Sequence, residues 1–219
     1  RVVEALVVVG GFAALTCLMT YPVIRFPASV LPNDLGDPLL NAWILAWDAD
    51  RFLHGLRDLW QAPNFFPYSN TLAYSEHLLG IALLVAPVQW LSGNPLLTYN
   101  VAFLLAYVLA GSGMYLLVRS LTGSRGAAVV AGVAFAFVPF RSAHLPHLQV
   151  LMSGWMPISL WALHRYYAGD GRSWLAAFGA AFSLQGLSNG YYLYFFSVAA
   201  AMALVDGFIR TRRPRLRVA

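Results

Sequence analysis

The residues of this chain that could do chemistry are a few polar groups set in an apolar sequence. The segment 33–80 holds six of the nine carboxylates, and the sequence on either side of it is almost wholly apolar. Within it, Asp37 stands in a Gly-Asp-Pro sequence, and Glu76 directly precedes His77 and a second apolar run. A fixed carboxylate can act as a general base or bind a cation. We therefore expect the working residues in this segment, with Asp37 and Glu76 as candidate catalytic carboxylates and His77 as a further candidate.

Asp37 also has a purely structural interpretation. Aspartate is a favoured N-cap and proline a favoured first helical residue, so Asp37 is suited to start the helix that follows. The two interpretations are compatible, because a cap is held in place by the helix that it caps. Four further carboxylates are expected to be solvated or paired with Arg51 and Arg57: Asp34, Asp48, Asp50 and Asp58.

A second polar group is the sequence Arg-Ser-Ala-His-Leu-Pro-His at 141–147. His144 and His147 are three residues apart and would share a face of a helix, although Pro146 disfavours a regular helix there. Two histidines with nearby carboxylates could bind a divalent metal, but two histidines alone are a weak signal for one. The alternative is phosphate, with Arg141 supplying charge and the histidines hydrogen bonds, and we favour it. A divalent cation is compatible with the sequence but not required by it.

A third polar group is the sequence Asn-Gly-Tyr-Tyr at 189–192, which is typical of a turn between two apolar runs. Tyrosine is common at membrane interfaces, so a structural interpretation is sufficient for this group. The alternative is that Asn189 and Tyr191 contribute to the same substrate site as Arg141.

Composition indicates an integral membrane protein. Of 219 residues, 59% are hydrophobic and 11% charged, whereas soluble domains carry about 25% charged residues. All 14 basic residues are arginine, and five of them fall in the last ten positions. A basic tail after an apolar run favours contact with anionic lipid at the cytoplasmic face over nucleic-acid binding. The single cysteine, Cys17, excludes a disulfide within the chain and a thiolate metal site.

Apolar runs predict an all-α transmembrane bundle of about six spans. Segment 39–60 has apolar and polar residues on opposite faces at helical spacing, which predicts an amphipathic helix lying along the membrane surface. Segment 77–90 is short and contains Pro87, so it is expected to be interfacial or re-entrant. The whole of 1–219 is one transmembrane domain, with 22–97 as the first extracytoplasmic loop, and its start without methionine suggests part of a longer chain. The predicted spans are 2–21, 98–118, 127–140, 148–163, 174–187 and 191–209.

The positive-inside rule predicts the orientation of these spans. If the N-terminus is cytoplasmic and 77–90 does not cross, ten arginines lie inside and four outside. If 77–90 crosses, two lie inside and twelve outside. The first arrangement is therefore expected, with both termini in the cytoplasm. It places all three polar groups on the extracytoplasmic face.

This layout resembles the amino-terminal part of a GT-C glycosyltransferase, a polytopic membrane enzyme that takes a sugar from a polyprenyl-phosphate carrier. The resemblance is one of arrangement: one span, a large outer loop with an early acidic residue, amphipathic helices along the membrane, then spans joined by short loops. It implies that Asp37, with Asp34 as the fallback, is catalytic or metal-binding, and it puts Glu76 and His77 where relatives bind carrier or acceptor. The 141–147 loop lacks the second acidic motif that the family often carries.

The resemblance implies a sugar transfer on the extracytoplasmic face of the bacterial inner membrane, part of the cell envelope. Asp37 would deprotonate the acceptor, and Arg141 with the two histidines would stabilise the departing carrier phosphate. The expected partners are membrane lipid and the polyprenyl-phosphate-linked sugar, without nucleic acid. Two alternatives stay open: a transporter or flippase of lipid-linked saccharide, and a non-catalytic membrane subunit.

Overall fold

A computed structural model describes the backbone of residues 2–212 and the side chains of residues 2–210. Its described part consists of helices and loops without a strand, which confirms the all-α prediction. Most of the basic tail lies outside the described side chains. The helices are α1 Val2–Met19, α2 Asp37–Leu53, α3 Leu79–Ser92, α4 Pro95–Thr122, α5 Arg125–Ala136, α6 Pro139–Ala143, α7 Leu148–Leu151, α8 Trp155–Tyr167, α9 Ser173–Ser188 and α10 Gly190–Arg212.

Four helical segments in the described part of the chain are long and apolar enough to cross a membrane: Val2–Met19, Pro95–Thr122, Arg125–Ala143 and Gly190–Arg210. Length and composition thus support four of the six predicted spans. The predicted span 148–163 is instead two helices, α7 and α8, which are separated at 152–154. Helix α8 has 13 residues and the next helix, α9, has 16. Both are therefore shorter than the roughly 20 residues that a bilayer requires.

Small residues on α4, on α5 and directly before α8 allow these helices to approach one another closely. A side chain at Gly111 or Gly132 would collide with the Phe12 ring of α1, at 2.4 and 2.5 Å respectively. Gly154 at the start of α8 lies against the α4 backbone, where an added Cβ would be 2.6 Å from the Leu109 carbonyl carbon. Helix association in membranes relies on this kind of close backbone packing, because lipid tails are as apolar as the side chains. Helix α4 is therefore the central element of the bundle.

Helices α2 and α3 pack on α4 and on each other to form the main apolar core. Ile44 and Leu45 of α2, Ile81 of α3 and Phe103 of α4 are each at most 1% exposed. Gly80 at the start of α3 touches Ser188 at the end of α9. The loop between α1 and α4 is thus a folded part of the bundle and contributes much of its interior.

The chain reversals separate the polar residues into two ends. At one end Glu4 pairs with Arg119 and Arg125, each at 3.2 Å, and Arg165 pairs with Asp170. We call this the basic end. At the opposite end, which we call the site end, α1 finishes, α2 and α10 begin, and α6 and α7 meet. The side chains of the site end are Asp37, Glu76, His144, His147 and Asn189.

We predict that Gly154→Ala destabilises the protein. The added methyl group would meet the Leu109–Ala110 backbone, which cannot move aside as a flexible side chain can. The free energy of unfolding should fall by roughly 1–3 kcal/mol, as expected for overpacking. Thermal unfolding in detergent measures it. Gly179→Ala is the matched control, since its Cβ would meet no atom within 4 Å and alanine is the better helix former. Equal melting temperatures for the two variants would contradict the close contact.

Candidate functional site

Asp37, His147 and His144 form a line of polar side chains at the site end. Oδ2 of Asp37 is 3.3 Å from Nε2 of His147, and Nδ1 of His147 is 3.3 Å from Nδ1 of His144. The first contact is within ion-pair distance, and in the second the tautomers of the two imidazoles decide which ring donates. The Asp37 side chain is 51% exposed and that of His147 38%. The line is therefore open to solvent and can carry a proton between a carboxylate and two imidazoles.

The carboxylate of Asp37 does not cap the helix that follows it. The cap position of α2 is Gly36, and Asp37 is the first helical residue. The prediction that Asp37 is itself the cap is wrong by one residue. Because the side chain makes no capping hydrogen bond, its oxygens are available to His147. A carboxylate in the first turn is still favoured by the helix dipole.

Two buried residues position the loop that carries the histidines. Asn41 of α2 donates to the carbonyl of Pro146 at 3.4 Å. Arg141 is 3% exposed, donates to Ser153 Oγ at 2.7 Å and to the Ala106 carbonyl at 3.3 Å, and lies over the Tyr107 ring. The described residues provide no carboxylate partner for Arg141. Its predicted role in binding phosphate stays a prediction, while its observed contacts join α6 to α4 and to the break before α8.

Glu76 lies against the first residue of α10. Its Oε2 accepts a hydrogen bond from the backbone N–H of Gly190 at 3.2 Å. Burial raises the pKa of the Glu76 carboxyl, and the Gly190 hydrogen bond opposes that rise. Asn189, predicted to bind substrate, is 1% exposed and accepts from the Tyr192 N–H at 3.0 Å, so it caps α10. Tyr191 beside it is exposed.

His77 and Asp34 are held by local contacts. Nδ1 of His77 accepts from the Leu79 N–H at 3.2 Å, and its ring meets the Trp60 ring edge-on. Burial lowers the pKa of His77, which favours the neutral imidazole. Asp34 accepts from the Gly36 N–H at 2.8 Å and from the Asn33 amide at 2.8 Å, forming a turn before α2. These contacts leave the predicted binding roles of both residues untested.

Asp48 carries a buried carboxyl, whereas its place on the polar face of an amphipathic helix predicted that it is solvated. It is 0% exposed, and neither of its oxygens has a hydrogen-bond partner. The prediction that it is solvated or paired with an arginine is therefore wrong. The physical reason is that α3 and α4 both cover α2, so that part of its polar face is enclosed. Burial raises the pKa of Asp48 to about 8.

The described part of the chain contains no cluster of three or more His, Cys, Asp or Glu side chains arranged to hold a metal ion. Cavities of about 830 and 460 Å³ lie at the basic end, away from Asp37 and Glu76.

Comparison of the chain with family models, curated proteins and solved structures gave no match. The chemistry of the site end is therefore argued from its geometry alone.

We predict that Asp48→Asn stabilises the protein at neutral pH and flattens the pH dependence of its stability. An unfolded aspartate has a pKa of about 4, whereas folding raises the pKa of Asp48 to about 8. Between these values the native state holds a proton that the unfolded state has lost. Wild-type stability should therefore fall as pH rises, by up to about 1.4 kcal/mol per pH unit, and level off above about pH 8.

Thermal unfolding in detergent between pH 5 and pH 8 tests this slope. Asp50→Asn is the control, because the Asp50 carboxylate is half exposed and bonded to Arg51, and it should keep the wild-type slope. A wild-type protein whose stability does not change over this pH range would contradict the buried neutral carboxyl.

Proposed function

We propose that this protein is an integral membrane glycosyltransferase that moves a sugar from a polyprenyl-phosphate carrier to an acceptor on the extracytoplasmic face. The observation that supports it best is the solvent-open line from Asp37 through His147 to His144. It joins the acidic residue of the first loop to a histidine pair 107 and 110 positions further along the chain. A general base needs such access together with a partner that fixes its orientation.

The proposed reaction is a displacement at the anomeric carbon of the carrier-bound sugar. The acceptor hydroxyl or amine gives its proton to Asp37 while its oxygen or nitrogen forms the new bond to that carbon. The bond between the carbon and the carrier phosphate oxygen breaks, and its electron pair leaves with the phosphate. The contact with His147 holds the base in place before the reaction. The exposed carboxyl of Asp37 releases the proton to solvent afterwards.

The remaining residues support this site in different ways. Glu76 lies at the N-terminus of α10 and is the second carboxylate of the site end, and burial raises its pKa. Arg141 acts here as a positioning residue, because its guanidinium holds the start of the histidine loop against Ser153 and the α4 backbone. Tyr191 is exposed, so its side chain is free to contact the substrate.

The proposed arrangement in the membrane has six crossings, with α2 and α3 on the extracytoplasmic side. Trp90 near the end of α3 donates to the Ala49 carbonyl of α2, and Asn94 after it donates to the Ala28 carbonyl. These contacts hold the end of α3 near the exit of α1, while Gly80 holds its start near the end of α9. Both termini of α3 thus lie at the site end, in agreement with a segment that does not cross. The bacterial inner membrane and cytoplasmic termini belong to the same proposal.

A transporter of the same lipid-linked saccharide is the second candidate. The break between α7 and α8 favours it, because discontinuous helices form the binding sites of many transporters. At the break, the Met152 carbonyl accepts from the amide of buried Gln185 at 2.9 Å, and Ser153 accepts from Arg141. A transporter would move lipid-linked sugar between leaflets without cleaving it.

We predict that Asp37→Asn abolishes sugar transfer by protein reconstituted in liposomes with a panel of polyprenyl-phosphate sugars. Loss of a general base should lower kcat by about 10²–10⁴-fold. Release of polyprenyl phosphate from the carrier is the measurement. Asp50→Asn is the matched control and should keep most activity, because the Asp50 carboxylate is half exposed and bonded to Arg51 near the other end of α2.

Unchanged turnover in Asp37→Asn would remove the central claim of the transferase proposal. Movement of intact carrier between leaflets, with no polyprenyl phosphate released, would assign the protein to transport. Normal melting temperatures for both variants are required in either case, since a misfolded protein would also lose turnover.

A further inference from the structure

A cavity of about 460 Å³ at the basic end is walled by three helices. Helix α4 forms its floor, α1 one wall and α8 the other. The cavity is open to the surroundings of the bundle, and the α1 side of it belongs to a helix whose outer face is apolar and largely exposed. Its lining residues are Glu4, Ala5, Val8, Val9, Ser112, Tyr115, Leu116, Arg119, Ser120, Trp161 and Arg165. None of them belongs to the site end.

The mouth of this cavity carries more positive than negative charge. Glu4 is the shared partner of two guanidinium groups, accepting from Arg119 Nε at 3.2 Å and from Arg125 Nη2 at 3.2 Å. Tyr115 also donates to Glu4, at 2.7 Å. Nη2 of Arg119 and Nη1 of Arg125 donate no hydrogen bond within the described part of the chain. Arg119 lines the cavity and Arg125 lies beside it on their shared partner Glu4, so one carboxylate leaves an excess positive charge next to the opening.

The interior of the cavity is lined mainly by apolar side chains, and its hydroxyl groups belong to Ser112, Tyr115 and Ser120. Ser112 lies seven residues before Arg119 on α4, about 10 Å deeper along the helix axis. Its Oγ is buried without a hydrogen-bond partner. Val8 and Val9 of α1 and Leu116 of α4 line the space between hydroxyl and mouth. A ligand that fits has a negative charge at one end, an apolar body, and an acceptor for this hydroxyl between them.

We infer that this cavity binds an anionic phospholipid, with the phosphate at Arg119 and Arg125 and an ester carbonyl at Ser112. A free inorganic anion would satisfy the guanidinium donors but leave the hydroxyl and the apolar walls unused. Basic pockets between transmembrane helices are known to bind lipid headgroups in this way. The site is at the opposite end from Asp37, so the inference does not depend on the proposed sugar transfer.

The test compares phosphatidylglycerol with phosphatidylcholine on detergent-solubilised full-length chain, by native mass spectrometry and by melting temperature. Wild type should bind phosphatidylglycerol more tightly and melt higher with it. Arg119→Gln should weaken phosphatidylglycerol binding by about fivefold, the effect of removing one basic residue near an anionic headgroup. Arg172→Gln is the matched control, because Arg172 is exposed in the α8–α9 connection and is neither a cavity residue nor a partner of Glu4.

Two further variants keep the inference testable if Arg119→Gln fails to fold. Arg125 is 72% exposed, so Arg125→Gln leaves the Glu4–Arg119 pair intact and should weaken lipid binding by a similar factor. Ser112→Ala should keep the melting temperature of the lipid-free protein, because the hydroxyl has no partner to lose, and still weaken phosphatidylglycerol binding severalfold.

Three results would overturn the inference. Equal binding of phosphatidylglycerol and phosphatidylcholine by wild type would show that the charge at the mouth is not recognised. Equal weakening by Arg172→Gln and Arg119→Gln would assign the effect to the overall charge of the basic end. Stabilisation by millimolar inorganic phosphate as large as that by phosphatidylglycerol would make the ligand a free anion rather than a lipid.

Discussion

Close backbone packing against α4 is the constraint on which both ends of this molecule depend. Gly111 and Gly132 make room for the Phe12 ring, and Gly154 brings the start of α8 onto the α4 backbone. In an apolar solvent such contacts must supply the association that burial of apolar surface supplies in water. With α1, α5 and α8 held on one helix, the loops at each end meet in a defined arrangement. The histidine loop is placed opposite the start of α2 as a result.

The interior of the bundle contains polar groups whose burial costs free energy unless a hydrogen bond or an opposite charge compensates for it. Arg141 is enclosed with neutral partners, and Asp48 has none at all. An unpartnered buried carboxyl is tolerated when it is protonated, which the raised pKa of Asp48 allows near neutral pH. Both groups lie in or beside the elements that carry Asp37 and the histidines. Their burial therefore makes the geometry of the site end sensitive to protonation and to nearby packing.

The two ends of the bundle have different chemistry. At the basic end the guanidinium groups outnumber the carboxylates, and the pairs there join α1, α4 and α5. At the site end a carboxylate lies beside an imidazole that contacts a second imidazole, and the carboxylate and the first imidazole are open to solvent. Proposed roles in lipid contact and in proton transfer follow this division. This division agrees with the uneven distribution of arginines between the two predicted sides of the membrane, ten against four.

Composition and spacing alone predicted the all-helical class and the four strongly apolar helices. They also indicated Asp37, His144 and His147 as candidate site residues. They could do so because apolar runs and helical periodicity are local properties of a chain. Composition and spacing could not predict the contact between Asp37 and His147, since it joins residues 110 positions apart through the packing of α2 near the α6–α7 connection. Burial of Asp48 and Arg141 was decided in the same way. A polar residue on an amphipathic helix is solvated or enclosed according to which neighbours cover it, and only the tertiary structure specifies those neighbours.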